Sequence, residues 1–312
     1  MQNFAIVFPG QGSQAVGMLD PWGDEPAVRD TLAEASEILG EDIAKLIHEG
    51  PKEQLELTTN TQPVMLTAGI ACYRAWLAHG GPAATVLAGH SLGEYTALVA
   101  AGALTLADAL PLVRFRAQAM QEAVPVGTGA MAAILGLDAR AVRDACAEVS
   151  ASGSEVVEAV NFNDPKQTVI AGTKAGVDKA CELLKAKGAK RALLLAVSAP
   201  FHSSLMKPAA DRLVARLADT AIAAPLIPVV NNIDVAVQTE PAAIRDALYR
   251  QAFGAVRWVE TIHAVRARGV THVIECGPGK VLAGMVKRIA AEAVPGAVFD
   301  PASLADVRGM LA

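Results

Sequence analysis

Aromatic side chains are scarce: Phe, Trp and Tyr make up only 4% of the 312 residues. That is a poor stock for an aromatic-rich β-sandwich or for the stacking platforms that hold single-stranded nucleic acid. Basic residues are also in deficit, with 27 Lys and Arg against 32 Asp and Glu and a net charge of −5, the wrong balance for neutralising a phosphate backbone. Nucleic acid is not expected as a partner. The four cysteines, Cys72, Cys146, Cys181 and Cys276, stand far apart without a C-x-x-C pair. They suit neither a zinc site nor a disulfide framework, and read as reduced, buried thiols. No apolar run is long enough for a membrane span. The richest region, Leu98 to Leu110, is broken by Gly102, Thr105 and Asp108, short of the roughly 18 residues required. Phe4 to Phe8 is stopped by Pro9 and Gly10 before it could act as a signal peptide. A soluble, cytoplasmic protein is expected.

What is present is a large aliphatic stock. Hydrophobic residues reach 52%, enough for a substantial core in one large domain or two fused ones. Three aliphatic runs end in glycine-containing turns that lead into helical patterns: Phe4 to Phe8 before Pro9-Gly10-Gln11-Gly12, Thr85 to Ala88 before Gly89-His90-Ser91, and His272 to Cys276 before Gly277-Pro278-Gly279. This pattern is that of a parallel sheet covered by helices, whose strand ends collect on one edge. Helical spacing marks Gln62 to Ala78, Leu106 to Ala123, Ser204 to Leu217 and Pro241 to Gln251.

The middle of the chain follows another order. A strand (Ala130 to Leu135), a helix (Ala139 to Ser150), two strands (Val156 to Asn161 and Gln167 to Ala171), a helix (Ala175 to Lys187) and a strand (Ala192 to Val197) form a βαββαβ unit. The fold class is therefore α/β: an α/β-hydrolase-like large domain with a parallel sheet, residues 1–126 and 199–312, and an inserted ferredoxin-like small domain, residues 127–198. Proline and glycine at Pro125-Val126-Gly127 and proline beyond Ser198 mark the junctions. The cleft between the two units is the default ligand site.

Gly89-His90-Ser91-Leu92-Gly93 is a G-x-S-x-G between a strand and a helix, the setting of a nucleophile elbow. Ser91 is the candidate nucleophile, and the Leu92 N–H at the helix start points toward a developing oxyanion. A serine needs a base within hydrogen-bond reach. Of the six histidines, His202 in Ala199-Pro200-Phe201-His202 follows a strand at a proline-flanked loop and is the best placed. No equally clear acid accompanies it; Asp234 and Asp246 are possible. The loops Phe8 to Gln14 and Gly277 to Lys280 lack phosphate-binding spacing, but either could offer backbone N–H groups to an oxyanion. Among the methionines, Met120 is the best candidate for lining a pocket, and Met131, Met206 and Met285 read as core.

Four motifs in order, F-P-G-Q-G-S-Q at Phe8 to Gln14, G-H-S-L-G-E at Gly89 to Glu94, P-F-H-S-S-L-M at Pro200 to Met206 and G-P-G-K at Gly277 to Lys280, resemble the malonyl-CoA:acyl carrier protein transacylase family. The likeness extends over nearly the whole chain, including Gln118 to Ile134 and Asn161-Phe162-Asn163. It implies a ping-pong acyl transfer between malonyl-CoA and acyl carrier protein, with Ser91 as nucleophile, His202 as general base and the amides of Gln11 and Leu92 as oxyanion hole. It also implies that a backbone carbonyl, here of Gln251, orients the histidine in place of an acid, and that Arg116 receives the substrate carboxylate. A guanidinium fork suits that task, because two charge-assisted bonds hold a carboxylate while a neutral acyl group leaves a buried cation unpaired. Arg114 lies about 200° away around the same helix, so only one of the two can face the pocket. Phe201 would narrow the pocket against branched acyl groups. The resemblance implies no cofactor beyond the coenzyme A thioester as substrate and product, and a monomer is expected. Lys185, Lys187, Lys190 and Arg191 are candidates for docking an acidic carrier. The competing readings are a serine hydrolase, which should have an acidic third member, and a non-catalytic carrier-binding protein, which should have lost Ser91 or His202.

Overall fold

A computed structural model of the chain describes residues 2–153, 155–197 and 199–312, so the expected domain junction at Ser198 lies outside the described residues. The first strand, β1 (Phe4–Phe8), is buried along its whole length, as a continuous apolar run should be when helices cover both faces of a parallel sheet. Four helices follow, α1 (Pro26–Leu39), α2 (Ile43–Glu49), α3 (Lys52–Leu55) and α4 (Thr58–Ala78), then β2 (Val86–Gly89), α5 (Gly93–Ala100) and α6 (Leu106–Glu122). Helix α4 is buried on nearly every side and forms the spine of the larger core. Helix α6 is started by Thr105, whose hydroxyl oxygen accepts the Asp108 N–H at 3.0 Å, an N-cap that satisfies an orphan donor.

The middle segment contains β3 (Gly129–Leu135), α7 (Ala139–Ala151), β4 (Val157–Asp164), β5 (Gln167–Thr173), α8 (Lys174–Ala186) and β6 (Arg191–Leu194). The expected order of elements is therefore present. The last expected strand is shorter than its apolar run, since β6 pairs with β3 only from Arg191 to Leu194 and the chain beyond must leave the sheet to reach the His202 loop. After a 3-10 turn at Ser204–Met206, the second in the chain after Asp20–Trp22, come α9 (Lys207–Asp219), β7 (Val229–Val230), α10 (Pro241–Gln251), α11 (Trp258–Arg266), β8 (His272–Cys276), α12 (Val281–Ile289), β9 (Val294–Val298) and α13 (Pro301–Leu311).

Two sheets result. One has the order β7-β2-β1-β8-β9 and all its pairings are parallel. The other has the order β4-β5-β3-β6 and is antiparallel. Because Phe8 pairs in register with Gly89, the loops after β1 and β2 leave the sheet side by side. The two sheets are tied where the Phe162 N–H donates to the Val256 carbonyl at 2.9 Å and the Val256 N–H to the Val160 carbonyl at 2.8 Å. Arg288 on α12 adds an ion pair to the buried Asp164 of β4 at 2.6 Å. None of the helices among the described residues is long and apolar enough to cross a membrane.

Candidate active site

Strand β2 ends at Gly89 and α5 begins at Gly93, so three residues make the whole turn. Ser91 sits at its apex with φ of 53°, a left-handed conformation that costs a non-glycine residue about 1–3 kcal/mol. Both flanking glycines are needed for space. A side chain at Gly89 would place its first carbon 1.9 Å from the Gly93 carbonyl carbon, and one at Gly93 would place it 2.1 Å from the Phe8 carbonyl oxygen. Asn232, just beyond β7, clamps the turn: its Oδ1 accepts the Ser91 N–H at 2.7 Å and its Nδ2 donates to the Gly89 carbonyl at 2.7 Å.

His202 arrives from the loop before α9 and also has a left-handed backbone, φ 65°. Its Nε2 lies 2.6 Å from Ser91 Oγ, and its Nδ1 lies 2.9 Å from the Gln251 carbonyl and 3.2 Å from the Gly254 carbonyl. Carbonyl oxygens only accept, so the proton resides on Nδ1 and the Nε2 lone pair faces the serine. Burial, reinforced by the nearby Arg116 charge, pushes this imidazole down to about 3, which keeps it neutral near physiological pH. The two possible acids are elsewhere: Arg250 binds Asp234 at 2.7 Å and Asp246 at 2.7 Å. Among the described residues, no carboxylate contacts His202. The loop itself is moored by Glu158 of β4, which accepts from the Ser204 N–H at 2.8 Å and from its hydroxyl at 2.6 Å. His90, next to the serine in sequence, turns to Asn163, with Nε2 2.8 Å from Asn163 Oδ1.

Arg116 on α6 is 1% exposed. Its Nη1 donates to Gln62 Oε1 at 2.8 Å and its Nη2 to Gln251 Oε1 at 3.0 Å, with Ser91 Oγ 3.4 Å from the same Nη2. Every acceptor is neutral, and Nε has no hydrogen-bond partner among the described residues. A buried guanidinium without a counter-ion in contact is a ready receptor for an anionic ligand group. Arg114 faces the other way, to Glu41 at 2.5 Å and Asn60 at 3.1 Å, so the helical argument separates the two arginines correctly.

These groups share a cavity lined by Gln11, Ser91, Leu92, Arg116, Met120, Phe201 and His202, and also by Gln62, His90, Met131 and Asn161. Met131 therefore belongs to the cavity wall and not only to the core. The Gly277 loop is absent from that lining; Gly277 packs against the Pro9 ring and so supports the first loop from behind. The first loop meets the elbow closely, since a side chain at Gly10 would place its first carbon 2.4 Å from the His90 carbonyl oxygen and 3.7 Å from the Leu92 nitrogen. Among the described residues, the Gln11 and Leu92 N–H groups find no acceptor in the fold, as donors reserved for an oxyanion should not.

The whole arrangement is that of an activated serine facing a buried cation. Over residues 5–305 the chain matches the family model described as the acyl transferase domain. It belongs to the acyl transferase family. This acyl transferase is 53% identical over 306 residues to the malonyl CoA-acyl carrier protein transacylase of Escherichia coli O157:H7, with 98% of each chain covered. It superimposes on the acyl-carrier-protein S-malonyltransferase of Burkholderia pseudomallei 1710b with a TM-score of 0.96 and 67% identity, covering 98% and 99% of the two chains. A malonyl-transacylase solved in complex with a type II PKS acyl-carrier protein is similar at 50% identity and a TM-score of 0.95, covering 97% and 98%.

Sequence reasoning missed Gln62, Asn232 and Glu94 as members of the acyl transferase site. Gln62 opens a stretch read only as a packing helix, and Asn232 follows a strand of two residues. Glu94 was in view as the last letter of G-H-S-L-G-E, and a carboxylate placed directly after an elbow was its signal.

Proposed function

We propose that this chain transfers the malonyl group from malonyl-CoA to the phosphopantetheine thiol of an acyl carrier protein, by a ping-pong route through a malonyl ester on Ser91. The observation that carries the reading is Arg116: a buried guanidinium, free of carboxylate contacts, 3.4 Å from the Ser91 hydroxyl oxygen. That short separation suits an acyl group whose carboxylate is one methylene from the reacting carbonyl.

In the first half-reaction Ser91 Oγ adds to the thioester carbonyl carbon while its proton passes to His202 Nε2. The Gln11 and Leu92 N–H groups hold the oxyanion, and the Gln251 carbonyl keeps the imidazole oriented. Collapse breaks the C–S bond, and the proton on His202 goes to the departing coenzyme A sulfur. In the second half-reaction the carrier thiol gives its proton to His202 and attacks the ester. Ser91 leaves as the alkoxide and takes the proton back. Met120 and Phe201 wall the acyl pocket and disfavour branched groups. Acyl transfer of this kind requires neither metal nor redox group, so we assign no cofactor and treat coenzyme A as a product.

We assign residues 1–126 and 199–312 to an α/β-hydrolase-like domain and 127–198 to an inserted ferredoxin-like unit, a reading supported by the β4-β5-β3-β6 order. The protein would act as a cytoplasmic monomer, supplying malonyl-carrier protein for fatty acid or polyketide chain elongation. Of the basic residues considered for carrier docking, Lys187 is engaged by Glu148 at 2.7 Å, which leaves the exposed Lys185, Lys190 and Arg191. The deciding experiment mixes radiolabelled malonyl-CoA with the protein. Stable label on Ser91 that moves to added carrier protein is expected; prompt release of free malonate would sink the transferase reading in favour of a hydrolase.

A further inference from the structure

Among the described residues, Glu94 is the one carboxylate of the site that the acyl-transfer steps leave unused. It lies on the first turn of α5, 2% exposed, and its Oε2 accepts from Gln251 Nε2 at 3.0 Å and from the Asn232 N–H at 2.8 Å. Both partners reach the reacting groups directly. Gln251 carries Arg116 on its Oε1 at 3.0 Å and donates a second time from Nε2 to the Ser91 carbonyl at 3.0 Å. Asn232 holds the Ser91 N–H.

The direction of these bonds has a consequence. The Gln251 amide can place its oxygen toward Arg116 only if its NH₂ has an acceptor on the other side, and Glu94 is that acceptor. With the amide reversed, NH₂ would confront a guanidinium, donor against donor. Glu94 also supplies the negative charge nearest to a cation that has no direct counter-ion, one amide away, so that the face of Arg116 toward Ser91 stays open.

We propose that Glu94 is a positioning and charge-balancing residue for Arg116, ionised in the resting enzyme and protonated from solvent when the carboxylate of the acyl group engages Arg116. This rests on the malonyl-transfer reading above. Two carboxylates around one buried guanidinium leave a surplus negative charge in low dielectric, where like charges raise each other's proton affinity. Glu94 is already close to the point of taking a proton, because burial holds it up at about 7 against the pull of Gln251, Asn232 and Arg116. The groups facing it are few. Arg116 comes from α6, Asp234 from the turn after β7, and Tyr95 adjoins it on α5. Among the described residues, α4, α10, β1 and β2 present no charged group to it. A small cavity lined by Glu94, Asn231 and Gln238 shares no lining residue with the acyl pocket, so a proton entering there would not pass the substrate.

The test counts protons during acylation in weak buffer with a pH indicator. The chemical step is proton-neutral, because the Ser91 proton ends on the coenzyme A sulfur, and any ionisation of the released thiol is common to all donors. Wild-type enzyme at pH 7.5 should take up a fraction of a proton per malonyl-Ser91 formed and none per acetyl-Ser91. The malonyl-CoA KM should rise with pH across about 7, by at most about tenfold per pH unit, the limit for one linked proton. The acetyl-CoA KM should stay flat. Glu94→Gln should abolish both differences. Malonyl label on Ser91 with equal proton counts for the two donors overturns the proposal and leaves the transferase reading standing, as does uptake that persists in Glu94→Gln. Absence of any malonyl label on Ser91 removes the transferase reading and this proposal with it. The wild-type proton count decides the question even if Glu94→Gln does not fold.

Discussion

Gln251 serves Arg116 and His202 with different atoms: its side-chain Oε1 accepts from the Arg116 Nη2 at 3.0 Å, while its main-chain oxygen takes the His202 Nδ1–H at 2.9 Å. Truncating the side chain should therefore separate acyl selectivity from base orientation. Gln251→Ala removes the bonds to Arg116, Glu94 and the Ser91 carbonyl, of which the one to the Arg116 guanidinium is worth about 1.5–3 kcal/mol, and leaves the main-chain carbonyl in place. Malonyl kcat/KM should fall by about 10–100-fold while acetyl turnover changes by no more than a few-fold. Equal losses on both donors in parallel steady-state assays would show that the side chain acts chiefly through its bond to the Ser91 carbonyl instead.

Arg116 gives the sharper version of the same separation. A substrate carboxylate that loses its buried partner is penalised by about 3–5 kcal/mol, so Arg116→Ala should lower malonyl kcat/KM by about 10²–10³ or more. Acetyl turnover should be spared, because a neutral acyl group never used the guanidinium. Arg116→Lys should recover only part of the malonyl rate, since an ammonium cannot bond Gln62, Gln251 and a carboxylate with one planar fork. Malonyl kinetics unchanged in Arg116→Ala would remove the residue from the acyl pocket.

Much of this site is legible in the chain because its chief members sit in local patterns. The elbow at Ser91 combines an apolar strand, glycines two residues to either side of the serine, and a helix start. Contiguous apolar runs locate β1 and β8, and a proline at the helix start locates α10. The residues that tie the site together have no such pattern. Asn232 reaches the elbow only because β7, two residues long, pairs with β2. Gln62 meets Arg116 across the α4 and α6 packing. Gln251 was reached by family likeness, and even then only for its carbonyl; its amide bridges Glu94 and Arg116, a contact between segments 157 and 135 residues apart that no spacing encodes.

The depressed His202 sets two pH profiles. For a neutral donor such as acetyl-CoA, kcat/KM should show no acid limb at the ordinary histidine value near 6.5, since the imidazole stays unprotonated until the pH approaches about 3. Folding stability is linked with a definite sign. The unfolded chain binds the His202 proton below about 6.5 and the folded chain does not, so stability present above 6.5 is lost as the pH falls from there toward about 3. Across that window the loss is on the order of a few kcal/mol. Denaturant unfolding of wild type and His202→Gln from pH 7 to 4 should show the difference in stability shrinking as the pH falls. An acid limb at 6.5 for acetyl-CoA, together with parallel stability curves, would place the His202 pKa at its ordinary value.

Glu158 tests whether the second sheet holds the base in place. It stands on β4, and its two oxygens take the Ser204 N–H and hydroxyl, two residues beyond His202. Loss of a cap of this kind costs about 1 kcal/mol of stability, but a loop shift of about 1 Å at the base can cost on the order of 10² in rate. Glu158→Ala should therefore lower kcat by about tenfold or more for malonyl and acetyl donors alike, with little change in KM. That pattern is opposite to the one expected of Arg116, because His202 serves every acyl group while the guanidinium serves only the charged one. Glu158→Gln, which can still accept the Ser204 N–H, should recover part of the rate. A malonyl-selective loss in Glu158→Ala would mean that β4 acts on the acyl pocket and not on the base.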